Sequence, residues 1–227
     1  MNVRVEQRLA LQAQRAGELS ERVARFLAPL AGTERALDSG CGAGAFAFAL
    51  APLVREVIGI DRSPELIAAG RELAPANVTL MEGDAEALPF DYGEFDLAGC
   101  LRVLHHAQRP ELIVSELARV TRPGGRVLVV DQLGHVDMLV SLGIDRFERV
   151  RDPSHTRLLP DTDIRSLLDA NDLVVTATEV VRERRELARY LDLVSLTEEE
   201  RRRAEALAPG PVYEVEIGWY VARKPGR

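Results

Sequence analysis

The feature that most constrains the chain is a glycine-spaced turn, Gly40-Cys41-Gly42-Ala43-Gly44, between a strand-like stretch at 35–39 and small apolar residues at 45–50. A short buried strand must turn there sharply into a helix. Glycine has no Cβ and tolerates positive φ, so the backbone can both turn and approach a ligand closely. The following helix opens with unpaired N–H groups and a partial positive charge, which suits a carboxylate or a phosphate. The spacing is Gly-x-Gly-x-Gly, one residue tighter than the Gly-x-Gly-x-x-Gly of dinucleotide sites.

The strand–helix alternation repeats downstream. Residues 56–60, 77–82, 95–100 and 126–130 read as strands. A helix after Ser63-Pro64 follows the second strand, with Ser63 as its N-cap, and another opens at Pro110. Such alternation predicts a parallel sheet covered on both faces, with right-handed crossovers. Residues 3–28 read as a helix ended by Pro29 and Gly32. Beyond 131 the pattern predicts a helical excursion over 132–160, a helix over 162–170 with Asn171 as a left-handed cap, a strand over 173–181, a charged helix over 183–207 and a last strand over 212–222. No Gly-, Pro- or Ser-rich linker divides the chain. The expectation is therefore one domain, 1–227, with a cofactor core at 35–131, an N-terminal cover at 1–28, and insertions at 132–160 and 183–207.

Composition removes several classes. Lys+Arg is 29 against 36 Asp+Glu, a net charge of −7, which fits poorly with nonspecific nucleic-acid binding. No stretch approaches the ~20 apolar residues of a membrane span, and the polar start Met1-Asn2-Val3-Arg4 does not read as a secretory leader. Two cysteines, Cys41 and Cys100, make no disulfide framework or zinc set and are expected to be buried thiols. The expectation is a cytoplasmic protein without metal, nucleic-acid partner or membrane span, a monomer or homodimer acting on a small molecule.

Two acidic residues extend the glycine turn into a site. Asp61 ends the second strand, 17 residues past Gly44, where a carboxylate can accept from ribose hydroxyls. Asp84, in Gly83-Asp84-Ala85, ends the third, where a carboxylate can accept from an adenine amine, with Leu88 or Phe90 flanking the ring. Each also has a local reading, as a turn residue or a solvated loop carboxylate. Together they describe a nucleoside-bearing cofactor lying across the carboxyl ends of parallel strands.

Leu37-Asp38-Ser39-Gly40-Cys41-Gly42-Ala43-Gly44 resembles the first motif of the class I S-adenosylmethionine-dependent methyltransferases, and Ile58-Gly59-Ile60-Asp61-Arg62-Ser63-Pro64 their second. The stretches 83–90 and 95–97, Leu104-His105-His106 and the run 117–125 complete the set, and the nearest subgroup is the ubiquinone/menaquinone C-methyltransferase-like enzymes. The resemblance implies a doubly wound, Rossmann-like α/β fold. Its sheet is seven-stranded and mostly parallel, the last strand (212–222) being antiparallel and inserted beside its predecessor, with helical cap insertions. It implies that Asp38 and the backbone of Gly40, Cys41, Gly42 and Gly44 face the methionine part of S-adenosylmethionine. By the same resemblance Asp61, with Arg62 beside it, holds the ribose, Asp84 and Ala85 meet adenine, and Leu101 lines the methionine side. A nicotinamide-dependent oxidoreductase, a nucleic-acid methyltransferase and a non-enzymatic cofactor-binding protein are the alternatives.

Methyl transfer needs a general base only when the acceptor arrives protonated. The candidates are His106 (or His105, with at most one of the pair facing the pocket), His155 in Asp152-Pro153-Ser154-His155, and Asp131 at the end of the fifth strand. Arg102 reads as a surface ion-pair partner or an anion contact. Arg182 to Glu186 reads as part of a solvated helix face.

Overall fold

A computed structural model describes residues 3–226; residues 1, 2 and 227 of the expected domain lie outside them. In chain order the elements are α1 (Val3–Leu27), β1 (Arg35–Ser39), α2 (Ala45–Leu50), β2 (Glu56–Asp61), α3 (Pro64–Arg71), β3 (Val78–Glu82), β4 (Phe95–Leu101) and α4 (Pro110–Val120). There follow β5 (Thr121–Gln132), α5 (Met138–Arg151), α6 (Asp161–Asp169), β6 (Val174–Glu186), α7 (Leu187–Leu191), α8 (Glu198–Leu207) and β7 (Val212–Arg223).

The strands form one sheet in the order β3-β2-β1-β4-β5-β7-β6. Strand β1 pairs in parallel with both β2 and β4, so the chain reverses its direction of winding there. The carboxyl end of β1, where the glycine turn begins, is the crevice in which open α/β sheets bind ligands. Strand β7 is antiparallel to both its neighbours, β5 and β6, as the resemblance implied.

Side-chain alternation builds a core on each face. Along β5, Val127 and Val129 pack beneath α4 and α6, while Leu128 and Val130 join Leu27 of α1, Phe46 of α2 and Ile67 of α3 on the other side. All four strand residues are buried, each worth about 1.5–3 kcal/mol of transfer free energy. A smaller cluster holds the insertions together, with Phe147 of α5, Leu191 of α7 and Ala204 of α8 at its centre.

Local signals explain the helix starts. Ser63 Oγ accepts from the Leu66 amide at 3.4 Å ahead of Pro64, and Asp137 accepts from the Leu139 amide at 2.8 Å to begin α5.

Three expectations need correction. Residues 183–186 are not helical but the end of β6, paired with β7 from Glu183↔Val215 to Glu186↔Val212. The rest of that segment divides into α7 and α8 with a break between them. The left-handed residue after α6 is Asp172, φ 56°, and not Asn171, whose side-chain Nδ2 instead donates to the Leu167 carbonyl at 2.8 Å.

Candidate active site

The glycine turn has the backbone its sequence demands. Gly40, Gly42 and Gly44 have φ of 77°, 55° and 91°. A Cβ on Gly40 would lie 2.6 Å from Val103, and one on Gly44 2.6 Å from Phe48. The turn is fastened from two sides: the Gly40 and Cys41 amides donate to the Ile60 carbonyl, and the Gly42 amide donates to Asp61 Oδ2 at 2.8 Å. Asp61 Oδ1 accepts from the Ser63 amide at 2.9 Å. Its carboxylate thus bridges the turn and the start of α3, with lone pairs left over for a ligand.

Asp38 lies beneath the turn and is fully buried. One oxygen accepts from the Ala47 amide at 2.9 Å, while Oδ1 has no partner. Burial pushes its carboxyl up to about 8, opposed by the Ala47 amide and reinforced by Asp61. A buried carboxyl with an unpaired oxygen is costly on its own, and a cation beside it would relieve that cost.

Two adjoining cavities open over the carboxyl ends of the strands. One, of about 460 Å³, is lined by Asp38, Gly40, Cys41, Gly42 and Leu101, with Leu19 of α1 and Trp219 of β7. The other, of about 730 Å³, is lined by His105, His106, Ser154 and His155 together with Tyr190. Leu11, Arg15, Arg102 and Arg185 line both, so the spaces meet. Helix α1 covers the turn, with Gln12 donating to the Ala43 carbonyl at 3.4 Å.

Several predicted residues lie outside these cavities. Gly44, Asp61, Arg62, Asp84, Ala85 and Asp131 line neither. Asp84 is exposed and accepts from the Glu86 amide at 2.9 Å. Ala85 and Leu88 are buried in the core, and Phe90 packs edge-on against Phe95 with centroids 4.9 Å apart. Leu88 and Phe90 are therefore turned inward and do not flank an open ring site. Cys41 and Cys100 are free, buried thiols, both raised by burial and by nearby carboxylates.

Both histidines of the pair line the larger cavity, against the expectation of at most one. His105 Nδ1 makes a very close contact with Asp131 Oδ1, and its backbone amide donates to Asp131 Oδ2 at 3.2 Å. Burial alone would raise the Asp131 carboxyl. The His105 ring and the Gln132 and His105 amides outweigh it and hold the group below its ordinary value. Asp131 is thus an acceptor, so Nδ1 of His105 carries the proton, and Nε2 has no hydrogen bond among the described residues.

His106 sits 4.0 Å from His105, centroid to centroid. Ser154 Oγ donates to Asp152 Oδ1 at 2.7 Å and lies 3.0 Å from His106 Nδ1, so Nδ1 donates to Ser154. Burial, then His105, lowers the His106 ring to about 4 against the opposing Asp152, leaving it neutral.

His155 has a different setting. It is buried, and its Nε2 lies 2.8 Å from Asp145 Oδ1, which also accepts from the Leu158 amide at 2.9 Å. This pair fixes the segment after α5 to α5 itself, and Thr156 fastens it to the histidine turn by donating from its amide to the His105 carbonyl at 2.8 Å.

Two arginines border both cavities, one of them, Arg102, in the ion pair expected of it. Arg102 takes a positive φ of 59°, unusual for a non-glycine residue, and pairs with Glu183 at 2.9 Å. Arg185 is buried against Glu148 at 3.4 Å and stacks on Tyr190 at 4.4 Å. It was read as a solvated helix residue. The period-two alternation that exposes Arg182 and Arg184 but buries Arg185 is masked by an unbroken run of charge. Among the described residues no His/Cys/Asp/Glu group could hold a metal ion, and no helix is long and apolar enough to cross a membrane.

This fold and glycine site resemble those of the class I methyltransferases, and comparison with known proteins agrees. Residues 37–129 match the family model described as a methyltransferase domain. The chain is 36% identical over 143 residues to the uncharacterized methyltransferase YcgJ of Bacillus subtilis, covering 61% of this chain and 56% of that one. It is 37% identical over 108 residues to a demethylmenaquinone methyltransferase of Shouchella clausii, covering 44% and 46%. The chain thus spans about half the length of these curated relatives. The crystal structure of Bacillus subtilis YcgJ superposes with a TM-score of 0.87 at 23% identity, covering 93% of this chain and all of that one.

Proposed function

We propose that the chain transfers a methyl group from S-adenosylmethionine to a small molecule held in the larger cavity. One observation carries this reading: the glycine turn and its unpaired carboxyl at Asp38 line a cavity that opens directly into a second, histidine-lined one. The first fits the donor and the second an acceptor.

The residues present suit the donor. Asp38, short of a partner for Oδ1, fits a ligand bearing positive charge. Gly40 and Gly42 offer backbone to the donor cavity, and Asp61 offers free lone pairs for sugar hydroxyls. The assignment of Asp84 and Ala85 to the base end rests on the motif alone. When bound, S-adenosylmethionine supplies an already activated methyl group, so positioning carries much of the rate enhancement.

The chain's own residues provide that positioning. Helix α1 lies over the turn and lines the donor cavity with Leu11, Gln12, Arg15 and Leu19. Arg102 and Arg185, held by Glu183 and Glu148, border the passage between the two cavities. His155 ties the covering segment to α5 and so shapes the chamber. A cavity of about 730 Å³ suits a small acceptor, and the net charge of −7 argues against nucleic acid.

Thermal unfolding with each cofactor tests the donor. S-adenosylhomocysteine is expected to raise the melting temperature and NAD(H) to leave it unchanged; the reverse would establish the oxidoreductase alternative. Transfer of labelled methyl to a panel of small acceptors tests the activity.

A further inference from the structure

We propose that His105, backed by Asp131, is the general base for an acceptor bearing an acidic hydroxyl, of the phenol or enol type, and that the oxygen is the atom methylated. This rests on the methyltransferase reading above.

The geometry divides the work between two rings. Asp131 takes the Nδ1 proton of His105 and holds the ring by a second bond to its backbone amide. That arrangement of base and orienting carboxylate leaves Nε2 as the proton acceptor. His105 is the more exposed partner, 14% against 2% for Asp131. His106 is held through Ser154 to Asp152 with Nδ1 as donor. Its Nε2 can therefore accept a hydrogen bond, while its low basicity unfits it to take the proton. The titratable groups facing His105 are Asp131 from β5, His106 in its own turn and His155 at 5.6 Å from the segment after α5.

The chemistry selects among acceptors. A carboxylate already carries a lone pair and needs no base. An amine arrives as a cation, yet the cavity is lined by four arginines, Arg15, Arg102, Arg151 and Arg185, against the carboxylates Glu65, Glu148 and Asp152. An aliphatic hydroxyl is far less acidic and gives up its proton to imidazole only in concert with attack, so no ionised form builds up in the site. A phenolic hydroxyl, which ionises near ~10, is within reach of a hydrogen-bonded imidazole. In the step, the hydroxyl oxygen forms a bond to the methyl carbon while the carbon–sulfur bond breaks with its electron pair left on sulfur. The hydroxyl proton passes to Nε2 of His105.

Two measurements on the full chain test this. The first is the spectrum of bound 4-nitrophenol and 4-nitrocatechol, whose phenolates are coloured, in the presence of S-adenosylhomocysteine. The wild-type protein is expected to hold the probes with a phenolate-to-phenol ratio about tenfold above that of free probe at the same pH, and His105→Gln to abolish the gain. An unchanged ratio, or no binding of either probe, overturns the proposal. The second is methyl transfer across phenols, enols, amines, thiols and carboxylic acids. Products methylated on phenolic or enolic oxygen are expected, with kcat lowered about 10²-fold or more in His105→Gln and in Asp131→Asn while S-adenosylhomocysteine affinity stays within twofold. Transfer to nitrogen, sulfur, carboxylate or ring carbon, or full activity in His105→Gln, overturns the base assignment and leaves the methyltransferase reading standing. Absence of S-adenosylhomocysteine binding to the wild-type chain overturns both.

Discussion

The backbone amide of Gly42 donates to Oδ2 of Asp61 at 2.8 Å, so the turn after β1 is tied to the carboxylate that ends β2. The two ends of the proposed donor site are thereby one mechanical unit. Asp61→Ala removes the anchor of the turn together with the acceptor for sugar hydroxyls. Hydrogen bonds to a charged group are worth about 1.5–3 kcal/mol each, so S-adenosylhomocysteine affinity should fall about 10- to 150-fold in calorimetry. Unchanged affinity would remove Asp61 from the site.

Asp38 gives a pH prediction with a definite sign. Its carboxyl is raised from 3.8 to about 8 in the folded chain, so the folded state binds the extra proton between those values. The stability this contributes is fully present below 3.8 and is lost as pH rises towards 8. Relative to Asp38→Asn, the ligand-free wild type should lose stability over that range, by up to about 1.4 kcal/mol per pH unit. Denaturant titrations of both proteins from pH 5 to about 8.5 check it. Parallel pH dependence of the two would contradict it.

Arg184 and Arg185 are adjacent, yet β6 exposes the first and buries the second. Arg185→Ala takes one partner from the buried Glu148, which keeps Arg151 at 3.1 Å and the Tyr190 hydroxyl at 3.0 Å, and should cost about 1.5–3 kcal/mol, whereas Arg184→Ala should stay within about 0.5 kcal/mol. Equal effects in chemical denaturation would restore the solvated-helix reading of this segment.

His155→Ala leaves Asp145 buried without its ring partner, though the Leu158 amide remains. A loss of about 3 kcal/mol is expected, a fall of roughly 6–12 °C in melting temperature for a chain of this size. S-adenosylhomocysteine affinity, set on the other side of the passage, should change less than twofold. A variant that is fully stable yet inactive would instead return His155 to the chemistry.

The parts of the molecule legible in the sequence are those in which local chemistry and global fold agree. Gly40, Gly42 and Gly44 announce positive φ, and all three adopt it. Ser63-Pro64 announces a helix start, and Ser63 caps α3. The short strand-like runs 35–39 and 56–60, bounded by the glycine turn and by Ser63-Pro64, place Asp38 and Asp61 at or near strand ends. The cap was legible only in outline, because its burial pattern is made by charged residues. Asp145 and Glu148 on α5 look like solvent-facing residues, but each is buried against a partner distant in sequence: His155 for one, Arg185 and Tyr190 for the other. Leu88 and Phe90 were misplaced for the converse reason. Apolar residues beside a proposed ring site satisfy the pattern equally well by packing inward.

The central claim is that the turn after β1 takes up S-adenosylmethionine. Calorimetric titration of the intact chain with S-adenosylhomocysteine addresses it without knowledge of the acceptor. The account predicts saturable uptake of one equivalent, proton release near neutral pH as Asp38 gains a cationic neighbour, and loss of uptake when Gly42 is replaced by a bulky residue. A folded chain that takes up no S-adenosylhomocysteine, or takes it up unchanged after that replacement, would contradict it.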